Sequence, residues 1–194
     1  MSAAAFVDEL PFAFGWINPR PGFLRRASHA LALGGRVWLF DPTIVDGLDE
    51  RVHALGEPAG VIQQFGRHGR RCAELAHRYG VPHRRLELGD APFEAVRLSR
   101  AELAVWWPET RTLVVAEAVG TSVYYRTLGE RVGVHPYLRF GRAPRELLAY
   151  EPEHLLVGHG AGIHGPGAAA ELHRAVHQAG RRAPLLPLSL IPRR

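Results

Sequence analysis

An α/β domain is what this sequence predicts, on three observations. Short apolar runs rich in Val, Leu, Ile and Trp alternate with segments of helical period, Gly and Pro punctuate the joins, and two of the runs empty directly into a loop that precedes a helix. A chain of 194 residues, 46% hydrophobic and 22% charged, suits one well-buried core, so a single domain over 1–194 is expected.

The elements follow in order. Ser28 to Leu33 and Arg36 to Asp41, joined by Gly34-Gly35, read as the first hairpin, because two glycines supply the positive φ angles of a two-residue turn. Asp41-Pro42 stops the second strand. Val45 to Leu55 carries Leu48, Val52 and Leu55 on one helical face. Gly60 to Gln64 is a short buried strand, and Arg70 to Tyr79 a helix closed by Gly80. Pro82 to Leu88, Phe93 to Leu98, Leu103 to Trp107 and Thr112 to Ala116 read as successive strands of a mixed sheet, with Pro108 to Arg111 as a tight turn. Pro144 to Tyr150 is a helix with proline in its first turn, Leu155 to Val157 a buried strand, and Ala168 to Ala179 a helix ended by Gly180. Ala183 to Arg194, with Pro184, Pro187 and Pro192 among leucines, reads as an extended segment lying on the body.

Composition excludes several classes. All 24 basic residues are arginine, a pattern that codon bias explains, and acidic residues are interleaved with them, so the net charge of +5 is not a nucleic-acid footprint. Doublets such as Arg70-Arg71 read as solvated faces. The single cysteine, Cys72, excludes an intramolecular disulfide and any multi-cysteine zinc site, and reads as a buried structural thiol. Met1 to Phe14 lacks a basic start and is a poor signal peptide, and no run reaches the ~18 apolar residues of a membrane span. No nucleic acid, no membrane and a cytoplasmic location are expected.

The stretch richest in chemistry runs from Val61 to Tyr79. A strand leading through Gln63-Gln64-Phe65-Gly66-Arg67-His68 into a helix is a good place to gather ligands, since rigid elements hold the loop at both ends. Only one histidine stands in that loop.

With this loop, Trp38-Leu39-Phe40-Asp41-Pro42, Leu113 to Ala118 and Leu155 to His159-Gly160 resemble strand ends of the metallo-β-lactamase fold, over about Phe14 to Ala179. The resemblance implies a four-layered αββα sandwich of two mixed sheets flanked by helices, with metal ligands on loops along one edge. It also implies that the His-x-His-x-Asp-His pattern of the family falls on Gln63, Phe65, Arg67 and His68, so that only His68 survives. The position of a third histidine falls near Leu98. Glu117 matches the bridging carboxylate, His159 the last histidine, and Asp41 the hydrogen-bonding support beside the site.

These matches leave two readings open. In the first, the metal site is degenerate, no metal is bound, the protein is non-hydrolytic or weakly active, and the scaffold binds a small anionic ligand or a protein partner. In the second, a single zinc or iron ion on His68, Glu117 and His159 hydrolyses an ester, thioester, lactone or phosphodiester. Arg67 has three possible places: inside the old metal cavity as the partner of Glu117, at the start of the following helix holding an anion, or in solvent with Phe65 filling the cavity. His164, five residues beyond His159 in a glycine-rich loop, is a further candidate for the ligand site.

Other features carry less. His173 and His177 share one helical face at i and i+4, a spacing that suits a solvated pair as well as a metal pair. The Gly158 to Gly167 run lacks the lysine and spacing of a phosphate loop, and no serine stands in a Gly-x-Ser-x-Gly setting. Thr121 to Gly141, with Tyr124, Tyr125, His135, Tyr137 and Arg139, is expected over the cleft as a ligand or partner surface. Homo-oligomer formation through the proline-leucine tail is a further expectation.

Overall fold

Period-2 alternation within three short strands builds the layers. In Arg36–Phe40, Val37 and Leu39 point one way and Trp38 and Phe40 the other, and both sets are buried. The same holds for Leu113 and Val115 against Val114, and for Leu155 and Val157 against Leu156. Strands buried on both faces demand a layer on each side.

The computed structural model describes residues 5–18 and 24–185. One sheet has six strands in the order β1 (Ala5–Leu10), β2 (Ala13–Ile17), β3 (Ala27–Leu33), β4 (Arg36–Phe40), β5 (Glu57–Gln63) and β6 (His83–Arg85), antiparallel through β4 and parallel thereafter. The second sheet takes β7 (Glu94–Arg97), β8 (Leu103–Trp107), β9 (Thr112–Val115), β12 (His154–Val157) and β13 (Ile163–His164), ordered β13-β12-β9-β8-β7. A two-stranded ribbon, β10 (Val119–Gly120) with β11 (Gly133–Val134), stands apart.

Three apolar clusters fill the spaces between layers. Val37, Leu39 and Val61 meet Leu48 and Val52 of α1 (Leu48–Leu55) and Leu75 of α2 (Cys72–Tyr79). Trp38, Phe40 and Ile62 meet Leu103, Val105, Trp107 and Leu156 between the sheets. Leu113, Val115 and Leu155 meet Leu172 and Val176 of α3 (Ala168–Arg182). The result is an αββα sandwich with α1 and α2 on one outer face and α3 on the other.

Several elements differ from expectation. The hairpin at Gly34-Gly35, whose φ angles are 58° and 77°, is preceded by a hairpin of β1 and β2 in which Phe6 meets Phe14 edge-on. The four successive strands expected from Pro82 onward divide between the sheets. Because α2 separates β5 from β6, the chain returns as a crossover, and β6 pairs in parallel with β5 instead of with β7. Leu88 and Phe93 then carry the chain across, both buried between the sheets. Arg145–Ala149 is a 3-10 turn around buried Leu147 rather than an α-helix, and α3 continues past Gly180 because its buried stripe extends to Ala183. The proline-leucine tail beyond Leu185 lies outside the described residues, as does any contact it makes. Among the described residues no helix is long and apolar enough to cross a membrane.

Candidate metal centre

The chain brings three of the expected residues to one point. Nitrogen or oxygen atoms of His68, Glu117 and His159 lie within 4.8 Å of one another, forming a candidate metal-binding triad. Each comes from the end of a strand: His68 follows β5, Glu117 follows β9 and His159 follows β12. Gly158 lets the last two approach, since a Cβ there would stand 2.2 Å from the Ala116 carbonyl oxygen.

The loop that carries His68 is tied down by the residues that precede it. The Gln63 amide donates to the Phe65 and Gly66 carbonyls at 3.0 and 3.2 Å. Beside it, the Gln64 amide donates to the Leu103 and Val114 carbonyls, locking the loop to the second sheet. The Phe65 ring meets the His68 ring edge-on and forms one wall of the cleft without filling it.

Outer partners fix both histidines. His68 Nδ1 is 2.9 Å from Asp41 Oδ2, and His159 Nδ1 is 3.0 Å from the Leu24 carbonyl oxygen. These partners are acceptors, so each Nδ1 carries the proton and each Nε2 is aimed at Glu117 Oε2, at 3.0 Å from His68 and 2.8 Å from His159. Without a cation between them, each of these contacts must hold a proton. The charges respond accordingly. Burial opposes the charged form of His68, yet hydrogen bonds to Asp41 and Glu117 outweigh it and raise its pKa. Burial likewise opposes the Glu117 carboxylate, but His159 and His68 hold it well below the usual carboxylate range.

Glu102, which sequence reasoning missed, supports the triad from behind. Its Oε1 accepts the Glu117 and Ala118 N–H groups at 2.7 and 2.8 Å, and burial pushes its pKa up to about 7. A lone carboxylate before an apolar strand gives no signal of this role. The missed cation is Arg70. The sequence placed it on a solvated face, but its Nη1 donates to the Ala27 and Asp41 carbonyls, and Nε and Nη2 are buried without hydrogen-bond partners.

Arg67, by contrast, is exposed on the cleft wall and is not the partner of Glu117, whose contacts are the histidines. His164 lies outside the cleft lining. Its ring stands 3.0 Å from Asp8 Oδ1 and 3.2 Å from His154, because β13 pairs with the far end of β12. His173 donates to the Tyr150 carbonyl while His177 is exposed, so the two do not converge. Arg139, expected at a ligand surface, is buried against Glu130.

The triad opens into a cavity of about 990 Å³. Phe65, Leu98 and Leu138 give it apolar walls, and Arg26, Arg67 and Arg142 add positive charge. Structures of the DIM-1 metallo-β-lactamase superpose on this chain with TM-scores of 0.57 and, for the enzyme exposed to ceftazidime, 0.56, at 14% identity in each case. The alignments cover 92% of this chain and 99% and 98% of theirs. The fold is that of the metallo-β-lactamases. No protein-family model and no curated protein matches the sequence. Within the metallo-β-lactamase fold, the triad occupies the shared edge where strands of both sheets end.

Proposed function

We propose that the cleft holds one divalent metal ion on His68, Glu117 and His159 and hydrolyses an ester-like bond of an ester, thioester, lactone or phosphodiester. The observation that carries this reading is the tautomer pair. Two histidines held with Nδ1 protonated, with Nε2 converging on one carboxylate oxygen, present two lone pairs and an anion to a single point. Two histidines and a glutamate are a donor set that a catalytic zinc accepts, and an outer partner on each ring is what holds such ligands in place. When bound, the ion supplies a Lewis acid that activates water and polarises a carbonyl or phosphoryl oxygen.

The chain's own residues do the rest. Asp41 and the Leu24 carbonyl hold the ring orientations, Glu102 anchors the backbone of Glu117, and the Glu117 charge offsets that of the cation. Phe65, Leu98 and Leu138 exclude water around a bound substrate, and the arginines of the cleft favour an anionic one. A metal-free reading, in which the histidines are doubly protonated around Glu117 and an anion binds the arginines, is favoured by the 2.8 and 3.0 Å separations, which suit direct hydrogen bonds.

Dialysis against zinc followed by elemental analysis separates the two. The metal reading expects one ion per chain, lost in the His68→Ala and His159→Ala variants, and chelator-sensitive hydrolysis of p-nitrophenyl acetate or bis-p-nitrophenyl phosphate. Folded protein that takes up no zinc, iron or manganese overturns it.

A further inference from the structure

His135 stands beside the triad in the opposite protonation arrangement. It caps the turn Pro136–Arg139, and its Nδ1 accepts the Tyr137 N–H at 3.3 Å. An accepting ring nitrogen carries no proton, so the proton of this imidazole is on Nε2. That N–H faces the cleft 3.4 Å from Glu117 Oε1, longer than the ~3.2 Å limit of a good N–H···O bond. The ring is held firmly for a loop residue. Tyr124 and Tyr125 meet it edge-on at 5.6 and 5.4 Å, and Tyr137 stacks on its face at 5.5 Å. Tyr125 in turn stacks on His159, which links this loop to the triad.

Three histidines therefore face one carboxylate with two different atoms on offer. Under the metal reading His68 and His159 present ring lone pairs, as ligands do, whereas His135 presents an N–H and is unsuited to ligation unless its cap is broken. We propose that His135 is the hydrogen-bond donor for an anionic oxygen of the molecule bound at the triad, so that the cleft recognises a carboxylate, a phosphate or a carbonyl oxygen that gains charge during reaction. A donor fixed in advance and aimed where charge gathers loses little to reorganisation. The proposal rests on the metal reading above and adds to it a residue that the family resemblance did not point to.

The test uses zinc-dialysed protein with inorganic phosphate as the probe. Elemental analysis is made first on the wild type and on His135→Phe, a variant that keeps a ring between the tyrosines and removes the donor. With zinc retained in both, phosphate affinity by calorimetry is expected to fall about tenfold in the variant, the usual effect of losing one hydrogen bond to a charged group. Independently, long-range proton–nitrogen correlation spectra of the wild type should show His135 protonated on Nε2 alone, with that signal shifting as phosphate is added. Absence of zinc uptake by the wild type sinks the metal reading and this proposal together. Zinc uptake with unchanged phosphate affinity in the variant, no phosphate binding by the wild type, or a proton on His135 Nδ1 overturns this proposal alone.

Discussion

Asp41 Oδ2 stands 2.9 Å from His68 Nδ1, and the backbone that puts it there is left-handed, with φ at 43°. Aspartate tolerates that conformation better than most residues. Its other oxygen accepts the Gln64 N–H at 3.0 Å, so one carboxylate fixes both the start of the loop and the tautomer of its histidine.

Asp41→Asn should therefore weaken metal binding without unfolding the protein. An amide oriented to accept the Gln64 N–H turns its NH2 group toward His68 Nδ1, which moves the ring proton to Nε2, in front of Glu117. Zinc affinity, measured by competition with a chromophoric chelator, is expected to drop roughly 10- to 100-fold, the usual effect of losing such a support. Unchanged affinity would show that the contact does not set the tautomer.

Metal affinity should also fall with acid. The pKa of His68 is raised above 6.5, and an ion must displace the Nε2 proton, so below that raised pKa affinity declines about tenfold per pH unit for this proton. In the metal-free protein the sign is opposite. A raised histidine pKa contributes stability that is complete below 6.5 and disappears as pH rises through the folded value. Zinc titrations and thermal melts between pH 5.5 and 8.5 read both effects, and a flat zinc profile would contradict the role given to His68.

Glu102→Gln should stabilise the metal-free protein at alkaline pH. Burial raises the Glu102 pKa from 4.5 to about 7, so in that window the unfolded chain has lost a proton that the folded chain keeps, and stability falls as pH rises. A glutamine carbonyl still accepts the Glu117 and Ala118 N–H groups and does not titrate. The advantage of the variant in urea unfolding is expected to grow by roughly 2 to 3 kcal/mol between pH 4.5 and pH 8. A constant difference would mean that Glu102 is ionised in the fold throughout.

Arg139→Ala should be severely destabilising and should loosen the loop that holds His135. The guanidinium pairs with buried Glu130 at 2.7 Å and donates to the Tyr125 and Val134 carbonyls. Removing it leaves the Glu130 carboxylate with only the Thr127 N–H at 2.6 Å and Arg182 at 3.9 Å, which costs about 3 kcal/mol, the low end for a broken buried pair. Chemical unfolding gives the stability, and broadened tyrosine resonances at Tyr124, Tyr125 and Tyr137 would report the loop.

Local pattern was enough to place most of the scaffold. Alternation in Arg36–Phe40 and Thr112–Val115, glycines at the Gly34-Gly35 turn and the helix stop at Gly80 appear in the structure close to where the sequence puts them. Burial also accounts for Cys72, whose thiol is pushed up to about 12 and so stays protonated and unreactive. The N-terminal hairpin escaped because Pro11 interrupts its alternation and its partner β3 begins ten residues after β2 ends.

What the sequence by itself determined was which residue types stand at the strand ends: His68, Glu117, His159 and Asp41 are each the polar residue at or near the end of an apolar run. Their convergence, the outward course of Arg67, the burial of Arg70, the diversion of His164 to Asp8 and the supporting places of Glu102 and His135 were decided only by the tertiary structure. The physical reason is that periodicity says which face a side chain takes on its own strand. Which atoms meet across the two sheets depends on how the crossover from β5 through α2 to β6 and the passage from Leu88 to Phe93 set one sheet over the other. The protonation of each ring nitrogen depends on that as well, because the group that fixes it comes from a segment distant in the chain for His68 (Asp41, just past β4) and His159 (Leu24, in the turn before β3), and from a neighbouring turn for His135.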